Sequence, residues 1–173
     1  INGKWKFHWV EKPSDKPQGF YAEGYDVSAW NEIQVPSNWE LNGYGIPVYI
    51  NQQNEFPSNQ PYAPTEYNPV GCYVHNFNVP EEWEGRNVYI NFGAVKSAFY
   101  LWINGNFVGY SEDSKTPAEF DITPYLKKSG KQVIRVKVQD ASDNGFQPRG
   151  KQCIINSGIW YTPVSGIWQT VWL

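Results

Sequence analysis

The sequence predicts an all-β sandwich or barrel, and three observations carry that prediction. Most patterned stretches alternate apolar and polar residues with a period of two. One tight hairpin is written out as Asn104-Gly105-Asn106 between two apolar runs. Fifteen glycines and 13 prolines cut the chain into short pieces, leaving room only for single helical turns.

The elements follow in order. Residues 5–9 and 32–35 are short strand candidates. Residues 73–79 place Phe77 and Val79 on one face and stop at Pro80, which has no N–H to give to a ladder. In 87–92, Val88, Ile90 and Phe92 alternate with polar or amphipathic neighbours. Residues 99–103 and 107–110 form the hairpin, because Asn and Gly tolerate the positive φ that its turn requires. Residues 119–122 are a further short candidate. In 132–138, Ile134, Val136 and Val138 alternate with Val133, Arg135 and Lys137, and 169–173 closes the series. Single helical turns are expected at 81–85 and 124–128.

Two stretches resist either pattern. Residues 36–71 carry Pro36, Pro47, Pro57, Pro61, Pro64 and Pro69 among Asn, Gln and aromatic side chains. An irregular stretch of that length in a compact domain is expected to be a functional or interface loop. Residues 140–158, with Asn144-Gly145, Pro148 and Ser157-Gly158, are expected to lie beside it.

A chain of 173 residues buries one sizeable core, so residues 1–173 are read as a single domain. The net charge is −3 and the 14 Lys and Arg residues are scattered, which supplies no positive field for nucleic acid. No apolar run approaches the length of a membrane span, and no charged segment precedes a signal-like apolar core. A soluble chain is expected. Methionine is absent, even at position 1, and the last strand ends without a turn signal, so the chain is expected to come from a longer protein. Cys72 and Cys153 lack the paired spacing of a zinc site and are read as buried free thiols, which point to no particular compartment.

No catalytic group stands out. His8 and His75 each sit in a strand beside aromatic residues and read as packed or surface histidines. No serine lies in a nucleophile elbow and no glycine-rich phosphate loop is present. The carboxylate pairs Glu112 with Asp113, Glu119 with Asp121, and Asp140 with Asp143 are flanked by turn residues. Glycoside hydrolysis needs one carboxyl kept protonated opposite one ionised, and no such context exists here. Capping and turn bonding account for these pairs. Nine Trp, 12 Tyr and nine Phe remain. Trp5, Trp9, Trp102 and Trp172 are expected in the core or on a sheet surface, whereas Trp39, Tyr44, Tyr49, Tyr62 and Tyr67 could touch a sugar or another domain.

Several segments together resemble one family. They are Asn2-Gly3-Lys4-Trp5-Lys6-Phe7, Val35-Pro36-Ser37-Asn38-Trp39-Glu40, Pro64-Thr65-Glu66, Gly71-Cys72-Tyr73, Leu101-Trp102-Ile103-Asn104-Gly105, Val108-Gly109-Tyr110-Ser111-Glu112-Asp113-Ser114, Glu119-Phe120-Asp121-Ile122 and Val164-Ser165-Gly166-Ile167-Trp168. In this order they are similar to the N-terminal domain of family 2 glycoside hydrolases of the β-galactosidase type. The resemblance implies a jelly-roll β-sandwich like that of galactose-binding modules, with no catalytic residue of its own, followed in the parent by immunoglobulin-like domains and a TIM barrel holding both catalytic glutamates.

The same resemblance implies site residues. The long loop reaches the barrel, and Tyr49-Ile50-Asn51 matches the step whose asparagine binds sugar hydroxyls, which makes Asn51 a substrate-binding candidate. An acidic position that reaches the active site before the final Ser-Gly-Ile falls at Trp160 by registry from Ser165; no carboxylate stands there, and Trp160 becomes the second substrate-binding candidate. That departure favours a related branch of the family, with Arg149 and Lys151 facing an acidic partner or substrate. Glu112 and Asp143 match positions that hold a divalent cation in some relatives, so Mg²⁺ or Ca²⁺ is implied for the parent enzyme and no cofactor for this segment.

The partners implied are a β-galactoside-like carbohydrate and the other domains of the same chain, with neither nucleic acid nor membrane. Three functions compete: an accessory domain of a glycosidase, an autonomous carbohydrate-binding module using the loop aromatics as a platform, and a structural interface domain.

Overall fold

The computed structural model describes residues 1–47, 62–139 and 165–173. They form an antiparallel jelly-roll sandwich of β1 (Gly3–Val10), β2 (Asn31–Val35), β3 (Val70–Phe77), β4 (Tyr89–Phe92), β5 (Val95–Lys96), β6 (Ala98–Ile103), β7 (Asn106–Glu112), β8 (Ala118–Asp121), β9 (Gln132–Gln139), β10 (Gly166–Ile167) and β11 (Val171–Trp172). The large sheet runs β2-β1-β3-β9-β6-β7, a three-stranded sheet runs β11-β4-β8, and β10 pairs with β5.

The period-two pattern decides which side chains meet between the sheets. Trp5 and Phe7 of β1, Ile33 and Val35 of β2, Tyr73 of β3, Leu101 and Ile103 of β6, and Ile134, Val136 and Val138 of β9 are buried there with Ile90, Phe92 and Val171 of the small sheet. Phe99 bridges the layers, its ring 4.8 Å from Phe92 and 5.9 Å from Phe120. Gly109 of β7 admits Phe120, since a Cβ there would stand 2.6 Å from its ring. His75 stacks on Trp5 at 4.9 Å and His8 on Trp30 at 5.3 Å, so both histidines are packed against indoles.

The hairpin turn is as expected, with Asn104 at φ 50° and Gly105 at φ 81°. The Asn104 side chain also donates to Tyr125 O at 2.9 Å and Gln132 Oε1 at 2.7 Å, and accepts from Val133 N at 2.8 Å. It therefore pins the turn to β9. The expected helical turns are single 3-10 turns at Glu81–Trp83 and Thr123–Tyr125. All nine expected strands are present with shifted ends, most of all 169–173, which narrows to two residues.

The connection from β1 to β2 crosses the outer face of the large sheet. Phe20 is buried there with Val70 and Cys72, and Tyr21 stacks on Trp102 at 5.3 Å. Arg135, only 3 % exposed, donates to the carbonyls of Phe20 (2.5 Å), Glu23 (3.1 Å) and Tyr25 (3.3 Å). Three carbonyl partners offset the cost of placing a guanidinium under a loop. At the opposite layer the N-terminal amine of Ile1 donates to Val171 O at 2.7 Å, and Val171 N to Asn2 Oδ1 at 2.9 Å.

Candidate functional site

One end of the large sheet receives the return of the first irregular stretch and starts the second, whereas Val35, from which the first departs, pairs with Gly3 at the other end of β1. Ladder register places Val10, Val70, Gln139, Ala98 and Glu112 in a single row across five strands. Residues 140–164 follow Gln139, and the loop that starts at Pro36 returns to Val70.

Trp39 organises this end. It is buried, donates from its indole N–H to the Tyr73 hydroxyl, and lies against Gly71 and Gly166, where a Cβ would come within 2.6 Å and 2.9 Å of its ring. Burial pushes the Tyr73 phenol above its ordinary value, while the Trp39 indole N–H that it accepts pulls the other way. Ser37 N donates to Ile167 O at 2.9 Å and Trp39 N to Ser165 O at 3.0 Å. The Glu40 carboxylate accepts the Ser165 amide at 2.9 Å and 3.2 Å. The motifs around Trp39, Tyr73 and Ser165, far apart in sequence, thus form one knot that holds the start of the long loop against the chain just beyond residue 164.

A basic, aromatic corner flanks the knot. Lys96 Nζ lies 3.4 Å from Ser165 Oγ, Lys115 Nζ sits 4.8 Å from the centre of the Trp168 ring, and Trp168 Nε1 donates to Ser114 O at 3.2 Å. Burial, then the nearby Lys96 charge, lowers the Lys115 pKa. Two buried donors, Trp9 Nε1 and Asn38 Nδ2, find no acceptor among the described residues. Sequence reasoning missed Lys96, Lys115 and these two donors, although Asn38 and Trp168 stand in the motifs quoted above.

Of the predicted site residues, Glu112 ends β7 in the end row, and Tyr110 Oη donates to its Oε2 at 2.8 Å. Asn51, Asp143 and Trp160 lie outside the described residues, as do Tyr49, Arg149, Lys151 and Cys153. Among the described residues, no group of three or more His, Cys, Asp or Glu side chains is arranged to hold a metal ion. The loop aromatics separate: Trp39 is core, Tyr44 packs edge-on against Phe7 at 4.9 Å, and Tyr62 is exposed. Two further carboxylates serve turns, and Asp140 lies outside the described residues. The Thr123 hydroxyl and then its amide, which donates to Asp121 at 2.9 Å, lower the Asp121 pKa, and Asp113 accepts Lys115 N at 2.9 Å. Cys72 is a buried free thiol pushed up to about 12 by desolvation.

The model of the family described as "Glycosyl hydrolases family 2, sugar binding domain" matches residues 1–173. The chain belongs to this family. Curated relatives of the family 2 domain include a beta-galactosidase of Priestia megaterium, 44 % identical over 177 residues, and one of Vibrio cholerae, 39 % identical over 173 residues. Each match covers 100 % of this chain and 16 % of the relative, so the chain spans about a sixth of their length. Among solved structures, a β-glucuronidase of Bacteroides uniformis superposes with a TM-score of 0.70 at 22 % identity, covering 99 % of this chain and 17 % of that one. At that identity it shows the fold. A β-glycosidase of Bacteroides vulgatus superposes with a TM-score of 0.65 at 26 % identity, covering 99 % and 19 %. The family 2 domain is therefore the jelly roll that the motif set implied.

Proposed function

We propose that this chain is the non-catalytic N-terminal domain of a longer family 2 glycoside hydrolase acting on β-galactosides, bracing the catalytic barrel and lending a loop to its sugar pocket. The observation that carries the proposal is the Trp39–Glu40–Ser165 knot, which ties the long stretch at residues 39–40 to the chain just beyond residue 164. A binding loop held at its base by a rigid core can project a polar side chain with little ordering cost on contact with sugar. Asn51 is the residue assigned to that contact, because a carboxamide donates and accepts together and so suits neighbouring hydroxyls. The 39–44 % identity to beta-galactosidases supports the choice of sugar. Glu112 and Asp143 are the residues through which this domain would contribute to a divalent cation site of the parent enzyme.

The test is Asn51→Ala in the full-length parent enzyme. Loss of one good hydrogen bond in a desolvated pocket lowers kcat/KM about ten-fold to a hundred-fold, from a cost of about 1–3 kcal/mol. Asn59→Ala, in the same loop, leaves the kinetics unchanged. Wild-type kinetics in both variants overturn the assignment, and a large fall in melting temperature for Asn51→Ala would make it a loop-holding residue instead.

A further inference from the structure

Leu41 and Ile46 are the only exposed leucine and isoleucine side chains among the described residues, at 78 % and 75 % exposure. Both belong to residues 41–47, a run without a charged side chain. Apolar residues scattered singly over a surface need no explanation, but these two share one short run and its backbone is fixed. Asn42 N and Tyr44 N donate to Trp39 O at 2.8 Å and 3.1 Å, and Asn42 Nδ2 donates to Asn38 O at 2.7 Å and to Ser37 Oγ at 3.1 Å. Gly43 at φ 84° and Gly45 at φ 74° take the left-handed conformations that this path requires. Gly45 also lies against Trp9, where a Cβ would stand 3.4 Å from the indole. Two aliphatic side chains are therefore held out to solvent by the same Trp39 that is wedged into the core.

We propose that Leu41 and Ile46 form an aliphatic docking knob that seats in an apolar socket of the parent polypeptide outside these 173 residues. This rests on the reading of the chain as one domain of a longer hydrolase, and it names the contact that fixes how the sandwich sits on the rest. The side chains decide the kind of partner. Branched aliphatics offer neither the flat ring face nor the hydrogen-bonding groups that a sugar takes, and the one ring in the run, Tyr44, is committed edge-on to Phe7. Without a cation or carboxylate, residues 41–47 complement neither a charged protein surface nor nucleic acid. Size then separates a tethered partner from a free one. Two side chains cover far less than the roughly 800 Å² per partner of a stable subunit interface, so they hold neither a second copy nor an independent protein. A domain of the same chain needs less area, because its tether supplies an effective concentration on the order of millimolar. The chain covers 16 % of its beta-galactosidase relatives, and the socket is assigned to the corresponding remainder of the parent. The fixed backbone of the run lowers the ordering cost of seating the knob.

The test uses the full-length parent enzyme with the photo-reactive residue p-benzoylphenylalanine at position 41 or, separately, at position 46. After irradiation, mass spectrometry maps the cross-links. The expected product joins that position to a residue beyond 173 of the same polypeptide, in a band of single-subunit mass. A second sample is the parent with Leu41→Ser and Ile46→Ser together. Its Asn42 and Tyr44 amides exchange at least about ten-fold faster than in the wild-type parent, while β9 keeps its protection. The inference is overturned if neither position cross-links, if the cross-links join two copies or fall within residues 1–173, or if the double variant exchanges like wild type. The sugar-pocket reading stands or falls separately on the Asn51→Ala kinetics. Activity lost in Asn51→Ala without these cross-links removes the knob and leaves the pocket, and the reverse result removes the pocket and leaves the knob.

Discussion

Gly71 lies flat beneath Trp39: a Cβ at residue 71 would stand 2.6 Å from Cζ2 of the indole and 2.8 Å from Phe7 Cε2. Hydrogen is the only side chain the contact admits, because Trp39 and Phe7 are both wedged into the core. Gly71→Ala forces two large rings apart and is expected to cost about 1–3 kcal/mol, the usual range for overpacking. Urea unfolding measures it. Stability within experimental error of wild type would mean that Trp39 can slide, and with it the root of the long loop.

Glu40 ties the loop to the chain beyond residue 164 through one backbone amide, at 2.9 Å and 3.2 Å to its two oxygens. Glu40→Gln keeps the length but removes the charge, which roughly halves such a bond, so about 1 kcal/mol of stability is lost. Hydrogen exchange locates the effect: the Ser165 amide should exchange faster while amides in the middle of β9 keep their protection. Unchanged exchange at Ser165 would refute the clamp.

Arg135→Met preserves much of the side-chain volume but strands the carbonyls of Phe20, Glu23 and Tyr25. Removing one partner from a buried polar set is costly, and a loss of about 3 kcal/mol is expected. The crossing segment should loosen first. Fluorescence quenching of Trp30, which stacks on His8, reads that loosening, whereas equal quenching in both proteins would show that aromatic stacking alone holds the segment.

The alkaline pH dependence has a specific source. Lys137 lies under the outer face of the large sheet, with its Nζ 4.0 Å from the Tyr100 ring centre and 3.3 Å from Gln139 Oε1, beside its ladder partner Cys72. Burial above all, with a smaller push from Lys16, brings its pKa down from 10.5 to about 8. Between those values the unfolded chain holds the proton and the native one releases it, so the penalty this buried ammonium imposes on the fold is relieved as pH rises from 8 toward 10.5. Cys72 and Tyr73, both shifted upward, act in the opposite direction above their unfolded values near 9 and 10. The informative quantity is therefore the stability of Cys72→Ala minus that of Cys72→Ala/Lys137→Met, which removes the thiol coupled to Lys137 and lets the Tyr73 contribution cancel. That difference should climb between pH 8 and 10, and a flat difference would refute the assignment.

Strand pairing was legible wherever alternation ran for several residues, as in β3, β6 and β9, since period two is a property of the local chain. β5 and β10 were not. Each has two residues, and what pairs them is the knot around Trp39 and Ser165, which brings distant motifs together only after folding. The crossing segment between β1 and β2 was missed for the same reason: Phe20 and Tyr21 carry no periodic signal, and their partners Arg135 and Trp102 are about a hundred residues away. Trp39 was read as a loop aromatic open to contact and is core instead, because glycine at 71 and 166 opens the space for it. The motif set identified the family, whereas the corner of Lys96, Lys115 and Trp168 needed three-dimensional proximity.

The pairing of Ile1 with Val171, and of Val171 with Asn2, sets the entry and exit of this segment side by side on one sheet edge. A short linker could join them into a ring without disturbing either bond. The chain is thus laid out for circular permutation: joined through such a linker and reopened at the exposed turn around Gly130, it is expected to keep the same sandwich.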